Sequence, residues 1–430
     1  MRDLILFAIV ISVCILALRH AWIGILGWTW VSIMNPHRLT YGFMFDFPVA
    51  AAIGGAALLG LLFARDKKNP FIDTPVIWMA LLTVWMSITL VMAFNTTTSY
   101  EIWKKVMKVN FMIIMTLVIM NSRLRMLSFT WVFVLSTAFF GIKGGIFTIA
   151  HGGNYRVWGP SGSTIEGNNE LAIALIVAIP LMRFLQTTVS ENWQKHALTA
   201  AMLLSAAAAL GSHSRGALLA IIAMAFMLWL RSPRKVVGAI AIPFVAIGLL
   251  AFMPAEWFNR MDTISTYQED GSAMGRINAW WMAWNLASNN FFGGGYEIYT
   301  PMIFGMYAPD PTDIHAAHSI YFQILGEHGF IGLFLYLGMG ISAWRIAGWL
   351  RQHGAEAPET RWCSDLGAMS QVAIFGFAVG GAFLSLAYWD LPYNLIALLV
   401  AAKAWVLSKS WKDNLSAEPW LPKWFVKRNA

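Results

Sequence analysis

Charged side chains are scarce in this sequence. Asp, Glu, Lys and Arg make up 12% of its 430 residues, whereas 58% of the residues are hydrophobic. Soluble domains carry about 25% charged residues, so the composition excludes an ordinary soluble protein. The only two cysteines, Cys14 and Cys363, lie far apart in or beside apolar stretches, which gives no disulfide framework and no thiolate metal site. The composition is that of an integral membrane protein.

Several signals of other protein classes are also missing. No Gly-x-Ser-x-Gly elbow precedes a helix, which argues against a serine hydrolase of that type. No internal repeat, heptad run or low-complexity tract is visible. A transporter would be expected to have inverted repeats and charges at the membrane midplane, so the sequence does not favour a transporter. The apolar run from Leu4 has no small-residue cleavage site, so we expect no cleavable signal peptide.

Long apolar runs dominate what is present. A membrane-spanning helix needs about 20 mostly apolar residues. The segment 4–34 is long enough for one tilted span or two, which leaves the count open by one. The sequence therefore predicts an all-α polytopic membrane protein with about 12 transmembrane helices. The eleven clear candidates are 47–64, 76–93, 106–120, 128–150, 169–187, 197–211, 216–230, 236–253, 330–350, 367–388 and 394–410.

The distribution of Lys and Arg predicts the orientation of these spans. A net charge of +8 would indicate nucleic-acid binding in a soluble protein, but in a membrane protein Lys and Arg mark the cytoplasmic loops. More than half of the 30 Lys and Arg residues fall in connections that one topology places together on the cytoplasmic side. Those connections are 65–68, 121–127, 188–196, 231–235, 345–366 and the C-terminal tail.

Four hydrophilic stretches then face the other side of the membrane: 35–46, 94–108, 151–168 and 254–328. The last is the longest and holds a helix-like piece at 275–288, and long loops with their own structure are usually functional. The predicted organisation is a transmembrane region at 1–253 that includes the first three loops, the long loop 254–328, C-terminal transmembrane helices at 329–410 and a cytoplasmic tail at 411–430.

Basic residues on the outer side are few, and topology does not explain them. An arginine as close to hydrocarbon as Arg215, in a short turn between two apolar helices, is costly unless it is paired or hydrated. Snorkelling or a salt bridge could account for any one of them. As a set they suit an anionic headgroup such as a lipid diphosphate, because guanidinium binds phosphate oxygens at two points. The set comprises Arg38, Lys104, Lys105, Lys108, Arg156, Arg215, Arg260 and Arg276.

The loop 151–168 and the segment before the span at 330–350 carry the other candidate chemistry. The loop is dense in glycine and short polar residues, whose backbone amides can hold an anion or sugar hydroxyls, although an ordinary turn-rich loop fits equally well. The segment before the span at 330–350 contains four possible metal ligands. Pro309 and Pro311 disfavour a regular helix there, so these ligands need not converge. His318 suits proton transfer or hydrogen bonding beside an anion, and a structural role stays open. The possible ligands are Asp310, Asp313, His315 and His318.

A family signature begins at the same histidine. His318 and Ser319, nine further residues and then Gly329-x-x-Gly332 resemble the motif His-[Asn/Ser/Gln]-x9-Gly-x-x-Gly of the O-antigen ligase family. That family includes O-antigen polymerases and bacterial protein O-oligosaccharyltransferases. Three further stretches resemble it: Ser214-Arg215-Gly-Ala, Gly275-Arg276 followed by 293–295, and 159–172. The last is similar to the exosortase-associated O-glycosylation ligase subgroup. An interfacial helix is expected from His318 to His328, with Gly329 and Gly332 allowing a bend or close packing at the entry to the membrane.

The resemblance implies a membrane-embedded glycosyltransferase that is metal-independent and inverting. Such an enzyme moves a glycan from undecaprenyl diphosphate to a hydroxyl of lipid A core, on the periplasmic face of the bacterial inner membrane, in lipopolysaccharide biosynthesis. Arg215 and Arg276 would bind the diphosphate and stabilise it as leaving group, and His318 would activate or position the acceptor hydroxyl. The alternatives are a protein O-oligosaccharyltransferase or an O-antigen or exopolysaccharide polymerase with the same donor. Weaker diphosphate-binding candidates, by location alone, are Arg156, Lys105, Lys108 and Arg38.

Overall fold

The computed structural model describes residues 1–64, 69, 73–232, 234–266, 268 and 270–411, and these residues form an all-helical protein without strands. The predicted basic loop at 65–68 and the tail beyond residue 411 lie outside the described residues. The helices are α1 (Arg2–Arg19), α2 (Ala21–Met34), α3 (Val49–Phe63), α4 (Thr74–Val91), α5 (Thr96–Ile119), α6 (Arg123–Ala150), α7 (Asn168–Thr188), α8 (Asn192–Leu210), α9 (Arg215–Arg231), α10 (Lys235–Leu250), α11 (Ala255–Asp262), α12 (Gly271–Asn289), α13 (Pro301–Tyr307), α14 (Ile320–His353), α15 (Arg361–Gly381) and α16 (Asp390–Leu407).

Each of the eleven predicted spans coincides with a helix. Among the described residues, six helices are long and apolar enough to cross a membrane: α4, α6, α7, α14, α15 and α16. A seventh arises only if α10 and α11, bent by 115° at their junction, count as one span. The protein is therefore a multi-pass membrane protein. The other predicted spans are helices that are shorter or more polar, so the number twelve stays a prediction.

The segment 4–34 forms two helices. The backbone leaves the helical region at His20, with φ −136° and ψ 85°, which separates α1 from α2. At 14 residues, α2 is shorter than the about 20 residues that a span requires. The two helices pack together and against α3.

Helix α7 lies at the centre of the molecule. Fifteen of its residues are buried, which include nearly every position from 171 to 185. It contacts α6, α8, α9 and α15, so it is surrounded on all sides. A helix that is apolar all round is expected in such a position.

The four predicted outer loops meet at one end of the helix bundle. The Phe94 amide donates to the carbonyl of Gly294 at 3.0 Å, which joins the loop before α5 to the long loop 254–328. Gly153 packs on Pro254, and Gly162 packs on Arg38. These contacts bring parts of 35–46, 94–108, 151–168 and 254–328 together, and their position on the outer side of the membrane stays a prediction. The predicted helical piece at 275–288 is confirmed as part of α12.

Candidate active site

The start of α14 is built against the glycine run 293–295. The Gly294 amide donates to the Gly326 carbonyl at 2.9 Å, and the Gly295 amide donates to the Glu327 carbonyl at 3.0 Å. Helix α14 is interrupted at Gly329, which has φ 67° and ψ −174°. Residues with a side chain rarely adopt that conformation. The predicted bend at Gly329 is therefore confirmed. The predicted start of the helix at His318 is wrong, because His318 has φ 42° and the helix begins at Ile320 after the N-cap Ser319.

A buried polar network lies beneath this bend. Glu327 and His328 are 3% and 0% exposed. The Tyr388 hydroxyl donates to the Glu327 carboxylate and also lies 2.7 Å from Nε2 of His328. The Nδ1 atom of His328 is 2.7 Å from the hydroxyl of Thr89. Because these groups satisfy one another, the network ties α14 to α4 and to the connection before α16, and its role is structural.

Arg215 is held at the first position of α9 by a two-point ion pair. Its Nη1 lies 2.8 Å from Oδ2 of Asp270, and its Nη2 lies 3.1 Å from Oδ1. Nη1 also donates to the Thr263 hydroxyl at 2.7 Å. The ion pair holds the pKa of the Asp270 carboxyl below its usual value. Arg215 therefore keeps an ionised carboxylate beside it at neutral pH.

Arg260 lies within electrostatic range of three other arginines, and we call the four together the arginine cluster: Arg156, Arg215, Arg260 and Arg276. Burial lowers the pKa of Arg260, and the positive charges of Arg156 and Arg215 lower it further. Burial and the charge of Arg215 likewise lower the pKa of Arg276, which the carboxylates of Asp270 and Glu170 partly offset. Lowering of the pKa of Arg260 and Arg276 by neighbouring positive charges indicates a site with excess positive charge.

The turn 211–214 that carries Arg215 is fixed by the loop 151–168. The Val157 amide donates to the Gly211 carbonyl at 3.0 Å, and the Asn168 side chain donates to the Ser212 carbonyl at 2.6 Å. His213 contacts the Gly153 carbonyl through Nε2 at 2.7 Å, and its own carbonyl accepts from Nε of Arg260 at 2.8 Å. The glycine-rich loop 151–168 therefore fixes the backbone of the turn that carries Arg215.

Two members of the cluster lie near helix N-termini, where free backbone amides add positive potential. Arg215 follows the N-cap of α9, where the Ser214 hydroxyl accepts from the Ala217 amide at 3.2 Å. Arg276 lies in the second turn of α12, whose N-cap Asp270 accepts from the Ala273 amide at 2.8 Å. Both helix ends therefore favour an anion at this place.

His318 lies beside the arginine cluster with a free ring nitrogen. It is half-buried, and its Nδ1 atom is buried without a hydrogen-bond partner in the described part of the chain. Burial lowers its pKa to about 4, and the positive charge of Arg276 and the neighbouring His315 contribute. At neutral pH the imidazole is therefore uncharged and can accept a proton or a hydrogen bond.

The backbone around His318 is constrained. The residue has φ 42°, in the left-handed region that few side-chain-bearing residues occupy. The indole nitrogen of Trp280 donates to the carbonyl of the preceding Ala317 at 2.7 Å. Strained residues of this kind cluster at functional sites.

Two segments of the chain match known family models. Residues 200–337 match the family model described as O-antigen ligase. This match supports the O-antigen ligase family for that part of the chain. Residues 1–190 match a family of unknown function (DUF5935). No curated protein matches the chain significantly.

The match to the O-antigen ligase model supports an activity of the ligase or polymerase type in general. The family carries out glycosyl transfer of the ligase or polymerase type and acts on lipid-linked glycans. The matched residues contain Arg215, Arg260, Arg276 and His318, so one family segment holds most of the site. Arg156 comes from the segment that matches the family of unknown function.

The sequence-predicted site residues divide into two groups. The structure brings Arg156, Arg215, Arg276 and His318 together. The others lie apart from the arginine cluster. Arg38 pairs with Asp46 at 3.4 Å and lies over the Phe45 ring, next to the loop 151–168. Lys105 and Lys108 are exposed on α5, and no described contact joins them to the cluster.

Two residues of the site were not selected from the sequence. The sequence predicts that Arg260 lies on the outer side but gives it no role in the site. It assigns no individual role to Asp270. The sequence does contain a signal for Asp270, since an Asp directly before a helical segment is a strong N-cap. That signal would have placed its carboxylate near Arg276 but could not have shown the pairing with Arg215.

The possible metal ligands before α14 do not converge. The Asp310 carboxylate accepts from the amide and hydroxyl of Thr312 at 2.9 and 2.7 Å. Asp313 pairs with His315 at 2.7 Å, and the His315 ring packs over Gly275. Among the described residues no three His, Cys, Asp or Glu side chains are grouped to hold a metal ion.

Proposed function

We propose that this protein transfers a glycan from undecaprenyl diphosphate to a hydroxyl group of lipid A core. The reaction would occur on the periplasmic face of the bacterial inner membrane, without a metal and with inversion at the anomeric carbon. One observation carries the proposal: Arg260 lies within electrostatic range of Arg156, Arg215 and Arg276, and Arg276 lies beside His318, whose Nδ1 is free.

The charge of the arginine cluster suits a diphosphate. Its four guanidinium groups face two carboxylates, Asp270 and Glu170, which leaves two positive charges in excess when both acids are ionised. A diphosphate that carries a lipid at one end and a sugar at the other has two negative charges. Guanidinium groups bind such oxygens at two points, so the donor would neutralise the site.

The same groups would assist departure of the diphosphate. In the transfer, the acceptor oxygen forms a bond to the anomeric carbon on the face opposite the diphosphate. The bond from that carbon to the diphosphate oxygen breaks, and its electron pair stays on the diphosphate. Because negative charge grows there in the transition state, preorganised cations at that position lower the barrier.

His318 would take the proton that the acceptor hydroxyl loses. Its Nδ1 is free to accept a hydrogen bond from that hydroxyl. A pKa of about 4 makes it a weak base in the free enzyme, and the charge of Arg276 is one of the causes. A bound diphosphate offsets that charge, so the pKa of His318 rises when the donor is present and the ring becomes a better base.

An apolar groove beside the cluster supports a lipid-linked donor. It has a volume of about 450 Å³ and begins at Ile277, the residue after Arg276. At its other end Trp284 packs edge-to-face on Phe330 at the bend of α14, with 5.3 Å between ring centroids. Its lining is Ile277, Trp280, Trp281, Trp284 and Phe322. A lipid chain could therefore pass from the cluster towards the membrane-spanning helices.

The location and the acceptor are also part of the proposal. The concentration of Lys and Arg in the opposite loops supports a periplasmic site, a cytoplasmic C-terminus and about 12 spans. The arginine cluster and His318 would serve a protein hydroxyl or a second lipid-linked glycan by the same chemistry. Protein O-oligosaccharyltransferase and polymerase activities are therefore the alternatives that an experiment must separate.

The deciding experiment supplies one donor and several acceptors. Purified protein in nanodiscs receives a labelled undecaprenyl-diphosphate glycan together with lipid A core, a Ser/Thr-containing peptide or no acceptor, each with and without EDTA. We expect transfer to lipid A core that survives EDTA, and none by the His318→Ala variant. Transfer to peptide, or elongation of the glycan without added acceptor, would select an alternative acceptor, and loss of activity with EDTA would refute metal independence.

A further inference from the structure

The arginine cluster already contains an anion, the Asp270 carboxylate, that binds Arg215 as a phosphate would. The Asp270 carboxylate bonds to Arg215 through both oxygens, at 2.8 and 3.1 Å. This two-point geometry is also how arginine binds a phosphate. The side chains of Arg215 and Asp270 are 18% and 23% exposed, so the pair is accessible at the edge of the site. Asp270 therefore occupies on Arg215 a position that a diphosphate oxygen would need.

Resting on the proposed function, we infer that Asp270 is a positioning residue that competes with the lipid diphosphate for Arg215 and thereby speeds release of the diphosphate product. The donor would displace the carboxylate from part of the guanidinium group. When the product leaves, the carboxylate would return.

The charges of donor and product make this competition selective. The donor diphosphate has two negative charges, because each phosphate carries a substituent. Transfer of the glycan leaves a lipid diphosphate with a free terminal phosphate, whose second pKa is about 6, so it gains further negative charge at pH 7. A fixed carboxylate repels the more highly charged product more strongly than the donor. Without Asp270, the cluster would retain its product.

Asp270 cannot move far from Arg215. As the N-cap of α12 it accepts from the Ala273 amide at 2.8 Å through Oδ1. Thr263 holds the guanidinium from the other side at 2.7 Å and itself donates to the Arg260 carbonyl at 2.8 Å. Because the hydrogen bond to Arg215 lowers its pKa, the carboxyl also stays ionised at neutral pH. The competing anion is therefore always present.

A substitution can remove this charge without removing the helix cap. Asn caps helices about as well as Asp, so Asp270→Asn tests the charge alone. Asp270→Glu keeps the charge on a longer side chain. Asp262→Asn is the matched control, since Asp262 is an exposed acid at the end of α11 whose side chain does not contact the arginine cluster.

The experiment compares product affinity with turnover in these three variants. Binding of undecaprenyl diphosphate is measured in nanodiscs of neutral lipid, and the transfer rate is measured in single-turnover and steady-state modes. For Asp270→Asn we expect product affinity to rise about fivefold, the upper end for one partly exposed charge. Steady-state kcat should fall, while the single-turnover rate stays within about twofold of wild type. Asp270→Glu and Asp262→Asn should resemble wild type.

Two results would overturn the inference. Unchanged or weaker product binding by Asp270→Asn would show that Asp270 does not compete with the diphosphate. A single-turnover rate that falls together with kcat and with the melting temperature would assign Asp270 a purely structural role. Failure of the proposed function looks different, because wild-type protein would then bind no undecaprenyl diphosphate and transfer no glycan from it.

Discussion

Gly293 lies directly against Gly329. A methyl group added to Gly293 would stand 2.7 Å from the Gly329 amide nitrogen, and one added to Gly329 would stand 2.5 Å from the Phe291 carbonyl oxygen. Both glycines also have positive φ, 70° and 67°. The first glycine of the Gly-x-x-Gly motif is therefore required where two backbones meet, close to the segment that carries His318.

Alanine at the bend should destabilise the protein. Gly329→Ala introduces left-handed strain of about 1–2 kcal/mol in addition to the backbone clash. Melting temperature in detergent, and transfer activity after purification, should both fall. Gly340→Ala is the control on the same helix, because a methyl group there meets no atom within 4 Å. Equal melting temperatures for the two variants would mean that the bend tolerates a side chain.

Arg260 should contribute to donor binding although it was not selected from the sequence. Its guanidinium lies within the electrostatic range of Arg156 and Arg215, so Arg260→Ala removes one charge from the arginine cluster. Loss of a charge-assisted contact of about 1.5–3 kcal/mol weakens binding roughly 10- to 150-fold. Affinity for undecaprenyl diphosphate is the measurement, with Arg215→Ala and Arg276→Ala expected to behave alike.

The control for this series is Lys104→Ala. Lys104 pairs with Glu101 at 2.7 Å on the surface of α5, and its loss should leave donor affinity unchanged. The same assay decides the predicted roles of Lys105 and Lys108. If Lys104→Ala weakened binding as much as Arg260→Ala, net surface charge rather than the cluster would determine affinity.

The pH dependence of transfer should reflect the low pKa of His318. An ordinary histidine with a pKa of about 6.5 would be mostly protonated at pH 5.5 and unable to accept a proton. Because the pKa of His318 is about 4, the ring stays neutral at that pH. The acid limb of kcat/KM should therefore lie near pH 4, and activity at pH 5.5 should nearly equal that at pH 7.

The variants Arg276→Lys and Arg276→Ala test whether the charge of Arg276 contributes to the low pKa of His318. Burial is the larger cause of the low pKa of His318, and the charge of Arg276 is the next. Removal of that charge should move the acid limb to higher pH, whereas lysine, which keeps the charge, should leave it in place. An acid limb near pH 6.5 in the wild type would contradict an unprotonated, buried His318.

Tyr388→Phe should destabilise the protein without altering donor affinity. The substitution removes the hydroxyl that bonds both Glu327 and His328, and leaves both buried groups without that partner. A buried polar group left unsatisfied costs about 1–3 kcal/mol. The melting temperature should fall, while binding of undecaprenyl diphosphate stays near wild type. Weaker binding at unchanged melting temperature would show instead that the network reaches the donor.

Local pattern was sufficient for much of the helical framework. Apolar runs predicted a helix at each of the eleven positions, and a glycine after His328 predicted the bend that Gly329 makes. These features depend on nearby residues, because hydrophobic length and backbone freedom are local properties. The break at His20 is not fixed by local pattern, because Arg19-His20 in the middle of the run 4–34 is compatible with one span or two.

The sequence by itself determined a membrane protein with basic and histidine side chains on a common side and a family signature at His318. Only the tertiary structure decided which cations converge. Arg156, Arg215, Arg260 and Arg276 come from four separate elements, and their approach depends on how the loop 151–168, α9, α11 and α12 pack. It also revealed the Asp270 carboxylate on Arg215. Charges far apart in sequence interact only through distances in space, and chain order does not encode those distances.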